Sequence, residues 1–216
     1  MKAMILAAGR GERMGNLTLD TPKPLLKVNG HALIEYQLDR LAKAGVQDCL
    51  INVFYLGEKI QLALGDGERY GLRIHYSVET EKLETAGGII HALNFFEDQP
   101  FILLSADVWT DFPVDTLSLP EGKLAHLVLV NNPSHHLHGD FGLTEDGEVL
   151  LESDNRLTYA NVGVYHPRLF HGFGEGFLKL RTVLEKGIKE NSITGEHYAG
   201  IWRNIDTPER LASVVV

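Results

Sequence analysis

The first half of the chain alternates short apolar runs with amphipathic stretches. MKAMILAA reads as a strand, DCLINVFY as a second, the alternating RIHYSVE as a third and PFILLSAD as a fourth. Helical patterns lie between them. HALIEYQLDRLAKAG sets Ile34, Leu38, Leu41 and Ala42 at helical spacing, and Gly45 stops it. GEKIQLALGDG predicts a short helix and AGGIIHALNFFED another. PFILLSAD is apolar almost throughout, which places it centrally and buries both of its faces. Such alternation builds a parallel sheet with right-handed crossovers.

The second half is richer in strand patterns. LAHLVLVNN is one strand, GDFGLTEDGEVLLE predicts a hairpin turning at Asp146-Gly147, and TYANVGVYHP is a strand ended by Pro167. A helix is expected over FLKLRTVLEKGIKEN, then extended chain over GEHYAGIWRNI. TPERLASVV closes the pattern with Thr207 as N-cap and Pro208 at the first helical position. With no repeat or linker, the expectation is one α/β domain over 1–216. Its sheet is mixed and mostly parallel, flanked by helices, with a small β-rich lobe in the second half.

Composition narrows what this domain can do. The 216 residues are 44% hydrophobic and 23% charged, ordinary for a globular protein able to bury a full core. No apolar run approaches the roughly 20 residues of a membrane span. The N-terminal run is too short for a signal-peptide core and reads as a buried first strand. One cysteine, Cys49, excludes an intrachain disulfide and fits a reducing cytoplasm; its apolar neighbours make it a core residue. A net charge of −9 argues against a nucleic-acid partner. Arg10, Arg13, Lys23 and Lys27 nevertheless gather near the start, which suits a small anionic ligand.

Those basic residues flank LAAGRGERMGNLTLDTPKPLL, residues 6–26. Gly9, Gly11 and Gly15 are spaced G-x-G-x-x-x-G, which is not the dinucleotide fingerprint, and Gly15 is not followed by the Lys-Ser/Thr of a P-loop. The loop follows the first strand, so it lies where α/β sheets bind ligands. Its glycines let backbone N–H groups approach a phosphate, and Arg13 and Lys23 add positive charge; the plainer reading is a flexible loop with solvated charges. Asp107 emerges from a buried run and suits one bond to Mg²⁺, or else a turn cap. Asp111, beside Phe112-Pro113, reads as such a cap. In SVETEKLETAGGI, Glu79 ends a strand and Gly87-Gly88 begin a helix, where backbone groups could read a nucleobase edge or the glycines could serve packing. His135, His136 and His138 sit in a turn without the spacing zinc requires.

Together these pieces resemble a family, the sugar-phosphate nucleotidyltransferases. The opening loop is similar to its L-A-A-G-x-G-x-R-M…P-K-P-L motif, the strand ending SAD to its metal-binding strand, and WRNIDTPERL to its W-x-D/N-x-G-T-P-E-R-L. Within the family, LETAGGI, SADVWTDF, NNPSHHLHGDFGL, YANVGVYHPRLF and TGEHYAGIW resemble the bacterial N-acetylmuramate-1-phosphate uridylyltransferases of cell-wall recycling.

The resemblance implies a Rossmann-like fold, with a nucleotide-binding half over about 1–110 and a sugar-binding half plus C-terminal helix over about 111–216. It implies UTP and N-acetyl-α-muramate 1-phosphate as substrates, with UDP-N-acetylmuramate and pyrophosphate as products. Arg13, Lys23 and Asp107 would be catalytic, and Gly9, Gly11 and Arg13 would hold the triphosphate. The base would meet Ala8, Glu79 and the Glu84, Ala86 and Gly87 segment; the sugar would meet Gly142, Glu152 and Asn161. Asp107 and Asn204 would hold Mg²⁺, with Asp206 as the alternative ligand. Three residues depart from the family pattern: Asn204 stands where the family often carries Asp as a metal ligand, Asp206 where it carries Gly, and Glu84 where many relatives carry Gly. For the lactyl carboxylate, Arg156 is one candidate partner, although a solvated surface arginine is the plainer reading. Another hexose 1-phosphate with UTP, dTTP or GTP, or a nucleotide-binding regulator without turnover, are the rival readings.

Overall fold

The structure, a computed structural model, describes residues 1–214. In chain order its first elements are β1 (Lys2–Leu6), β2 (Lys27–Val28), β3 (His31–Ala32), α1 (Leu33–Lys43), β4 (Asp48–Val53), α2 (Gly57–Leu64) and β5 (Arg73–Val78). Next come α3 (Glu84–Ala92), β6 (Phe101–Ser105), β7 (Val108–Thr110), β8 (Ala125–Val130), β9 (Phe141–Leu143) and β10 (Val149–Leu150). The chain ends with β11 (Arg156–Tyr165), α4 (Leu180–Lys189), β12 (Ile193–Tyr198), β13 (Trp202–Asn204) and α5 (Pro208–Ala212).

These elements form two compact units, each drawing on both halves of the sequence. The first comprises Met1–Lys82, Leu104–Asp115 and the chain from Ile201; the second comprises Leu83–Leu103 and Thr116–Gly200.

In the first unit β4 lies parallel to both β1 and β5, with Ile51 opposite Ile5 and Tyr76. The apolar runs that predicted these strands are inside: Ala3, Met4, Ile5, Cys49 and Ile51 are fully buried. Burial also pushes the Cys49 thiol well above its usual pKa, so it stays a neutral core group. Helix α1 buries Ile34, Leu38 and Leu41, the face its periodicity predicted. Glu35 turns back to accept from Ala32 N at 2.7 Å and closes the helix start, while Gly45, at φ 76°, ends it.

A smaller pair, β7 and β13, runs antiparallel with Asn204 opposite Val108. Helix α1 holds it: buried Gln37 donates to Val108 O, and Arg40 donates to Phe112 O at 2.7 Å. Asp111 reaches beyond its own turn. Its carboxylate accepts from Ile201 N at 2.7 Å and so ties the returning chain to the end of β7.

The second unit is built around β8, which pairs antiparallel with β11 and parallel with β12. The expected hairpin is β9–β10, with Leu143 opposite Val149 and Gly147 at φ 81° in the turn. Its strand β11 bulges between Tyr159 and Gly163, and Asn161 takes φ 56° there. Helix α3 begins at Glu84, and a 3-10 turn over Leu93–Phe96 continues it. Thr207 caps α5 by accepting from Arg210 N, with Pro208 at the first turn as the sequence predicted.

Candidate active site

The opening loop leaves β1 and is held in a compact shape by its own backbone. Gly11 adopts φ 68°, a left-handed conformation open to glycine, and its carbonyl accepts from Met14 N at 2.9 Å and Thr18 Oγ1 at 3.0 Å. A Cβ at Gly11 would lie 3.0 Å from Lys23 Cβ, so the missing side chain lets Lys23 close over the loop. No continuous helix forms: short 3-10 turns cover Glu12–Thr18, kinked at Gly15, and Lys23–Leu25, where Pro22 enters extended.

Apolar packing fixes the ends of the site. Met14, Leu26, Val28, Leu33 and Ile205 share one buried cluster, with Tyr36, Trp109 and Leu211 packed against it. Burying a side chain of this size contributes about 2 kcal/mol. Met14 therefore anchors the chain beside Arg13, and Ile205 anchors the chain between Asn204 and Asp206.

Lys23 and Asp107 come together as an ion pair, Lys23 Nζ on Asp107 Oδ2. The other carboxylate oxygen accepts from Ser105 Oγ at 2.6 Å. Ile205 N donates to Asp107 O at 2.8 Å, and the register of β13 on β7 sets Asn204 opposite the residue after Asp107. Among the described residues, Asn204 Oδ1 is the buried side-chain oxygen that lacks a hydrogen-bond partner. An unmet buried carbonyl oxygen is costly unless something electropositive reaches it. An oxygen of this kind suits a hard divalent cation, which takes carbonyl and carboxylate oxygens.

Asp206 is engaged differently. It is 3% exposed, its Oδ2 lies 2.6 Å from Arg13 Nη1, and its Oδ1 accepts from Arg210 Nη1. Both oxygens therefore face guanidinium groups.

The residues expected around the base are distributed over both units. In the first unit Glu79 is buried, and its Oε1 accepts from Asn52 Nδ2 at 2.7 Å. Asn52 Oδ1 in turn accepts from Ala7 N at 2.9 Å. The carboxylate is thus linked through Asn52 to the backbone of Ala7, which adjoins Ala8. In the second unit Glu84 stands at φ 61° at the start of α3, the conformation a glycine would take without strain. The N–H groups of Ala86 and Gly87 donate to Leu178 O at 3.0 and 3.1 Å, and Leu178 N donates to Leu83 O. A Cβ at Gly87 would lie 2.0 Å from Gly176 O. Gly87 therefore has a packing reason as well as any binding one.

The sugar candidates lie in the second unit. Gly142 is opposite both Leu150 and Arg156, and a Cβ there would lie 2.4 Å from Ser153 Cβ. Glu152 is exposed in the segment joining β10 to β11, and Asn161 sits in the β11 bulge. The histidine-rich turn is pinned beside them. His136 pairs with Asp140, whose Oδ2 accepts from Tyr159 N at 2.8 Å; Asn132 donates to Leu137 O and Arg156 O.

Three contributors escaped the sequence reading: Asn52, Ser105 and Arg210. A polar residue inside DCLINVFY was the available signal for Asn52, because buried asparagine must bond something. Ser105 and Arg210 carry no such mark. The arrangement offers clustered cationic side chains, an anionic ligand-bearing residue and an unmet oxygen, which is equipment for binding and polarising phosphates.

The chain is similar to known proteins over most of its length. The Nucleotidyl transferase family model matches residues 2–152. Over 98% of this chain, an N-acetylmuramate alpha-1-phosphate uridylyltransferase of Neisseria meningitidis serogroup B is 47% identical, with 95% of that protein covered. A protein of the same description from Caulobacter vibrioides is 31% identical, covering 96% of this chain and 92% of its own. Among solved structures, the inositol-1-phosphate CTP transferase from T. maritima superposes with a TM-score of 0.79 at 20% identity, covering 98% and 91% of the two chains. At that identity the likeness speaks for the fold.

Proposed function

The chain belongs to the nucleotidyl transferase family, and on that premise we propose that it transfers UMP from UTP to N-acetyl-α-muramate 1-phosphate, releasing pyrophosphate. The observation that carries the choice of substrates is the 47% identity to the Neisseria uridylyltransferase over nearly the whole of both chains. The place of the reaction is peptidoglycan recycling, in the cytoplasm.

The acceptor is already an anion, so no general base is required. One sugar-phosphate oxygen forms a bond to the α-phosphorus of UTP as the bond to the β-phosphate bridging oxygen breaks. The barrier is charge repulsion and alignment. Backbone N–H groups at Gly9 and Gly11, with Arg13, bind the triphosphate and the departing pyrophosphate. Lys23 neutralises the phosphates at the reacting centre by leaving Asp107 for them. Asp107 and Asn204 would hold Mg²⁺, with Asn204 favoured over Asp206 because both Asp206 oxygens face arginines. When bound, that ion supplies Lewis-acid charge to the phosphates.

Glu79 supports the loop through Asn52, and Ala8 with the Glu84, Ala86 and Gly87 segment is assigned to the base, Ala86 and Gly87 through groups other than the N–H that Leu178 O accepts. Gly142, Glu152 and Asn161 are assigned to the sugar hydroxyl and N-acetyl groups. Pyrophosphate release, measured with Mg²⁺ over UTP, dTTP and GTP against muramate, glucose and mannose 1-phosphates, tests the reading. Turnover is expected for UTP with the muramate. Turnover with glucose 1-phosphate alone would overturn the substrate, and nucleotide binding without turnover would overturn the reaction.

A further inference from the structure

We propose that Asp206 is a positioning residue that holds the Arg13 guanidinium ready for the triphosphate. This rests on the reaction assigned above. The relevant geometry lies within the first unit: buried Asp206 faces Arg13 Nη1 at 2.6 Å on one oxygen and Arg210 on the other. The two arginines are unequal. Arg210 stands four residues away on the adjoining helix and is mostly shielded, whereas the Arg13 side chain is 70% exposed on the opening loop.

A buried carboxylate needs a counter-charge, and Arg210 alone supplies one. The fold does not require the second guanidinium. Arg13, by contrast, is a long, solvent-exposed side chain that would otherwise sample many rotamers, and its ordering would oppose nucleotide binding. Fixing it beforehand removes that cost from the binding step. Two positive charges against one negative leave the cluster with a net charge of +1, so the clamp orders Arg13 without cancelling its attraction for phosphate.

The clamp is also coupled to the reacting centre by sequence. Asn204, Ile205 and Asp206 are consecutive: the first carries the unmet oxygen, the second donates its N–H to Asp107 O, and the third holds Arg13. Ile205 is fully buried beside Met14, which adjoins Arg13. Three residues thus set the phosphate-binding arginine and the proposed cation ligands in one rigid frame.

The test is a double-mutant cycle on the full chain, with UTP KM and kcat read from pyrophosphate release at saturating sugar phosphate and Mg²⁺. D206N is expected to raise the UTP KM about tenfold, the size typical of coupled charged neighbours, with the sugar-phosphate KM unchanged. R13Q raises it at least as far, and D206N added to R13Q produces no further change. An equal D206N penalty in the R13Q background would overturn the proposal, as would a Mg²⁺ midpoint shift for D206N as large as that for N204A. If D206N does not fold, D206G introduces the residue of the family motif and is read the same way. Should the wild type turn over no UTP, calorimetry with inorganic tripolyphosphate keeps the clamp testable: weaker binding for D206N only while Arg13 is present supports it, and equal weakening in both backgrounds overturns it.

Discussion

Lys23 donates to Asp107 across 84 residues of sequence, and the pair joins the opening loop to the end of a buried strand. Each partner shields the other in the free protein, and each is proposed to exchange that partner for substrate or cation. Lys23→Met should lower kcat by about a hundred- to a thousandfold, the usual cost of removing one positioned transition-state donor. Pyrophosphate release at saturating substrates measures it; a change confined to KM would show that Lys23 contributes only to ground-state binding.

Asn204 allows a separation of binding from folding. Its Oδ1 makes no hydrogen bond in the structure, so truncation removes little that holds the fold together. Asn204→Ala should leave thermal stability without metal within about 1 kcal/mol of wild type, because no satisfied bond to that oxygen is lost. The Mg²⁺ concentration for half-maximal activity should rise more than for Asp206→Ala. A magnesium titration of both variants decides the ranking.

Gly11 tests the shape of the loop. An alanine there must hold φ near 68° and press a methyl against Lys23 Cβ at 3.0 Å. Gly11→Ala should cost about 1–2 kcal/mol from the left-handed backbone, together with activity lost as Lys23 shifts. Urea unfolding and steady-state kinetics on one preparation check both halves of that expectation.

Acid sensitivity should originate partly away from the site. Hydrogen bonding by Arg73, opposed by burial and aided by His75, lowers the Asp48 pKa from 3.8 to about 2. A carboxyl with a depressed folded pKa adds stability above its unfolded pKa and loses it as pH falls through the folded one. Asp48→Asn should therefore flatten the stability profile between about pH 4 and 2. Because Arg73 is largely exposed, the loss at neutral pH should be about 1 kcal/mol or less, readable by thermal melts across pH.

Much of this was legible in the sequence because period reports burial directly. Ile34, Leu38 and Leu41 announced the buried face of α1, and the largely apolar stretch before Asp107 announced a strand ending in a carboxylate. The opening-loop residues were identifiable by type and spacing. Their partners were not, because long-range contacts leave no local periodicity. Nothing near Asp206 points to Arg13, nor anything near Glu79 to Asn52. Asp111 shows the same limit: the cap reading is local, whereas the bond its carboxylate accepts from Ile201 N spans 90 residues.

The close passage of Gly87 beneath Gly176 has an evolutionary consequence. Any side chain at position 87 collides with a backbone carbonyl, which cannot step aside as a flexible side chain could. Descendants of this sequence can change position 87 only if the 172–179 segment is rerouted in the same lineage. Aligned relatives should therefore show a side chain at 87 together with an altered length or path in that segment. The two stretches form one inherited unit, though almost ninety residues separate them.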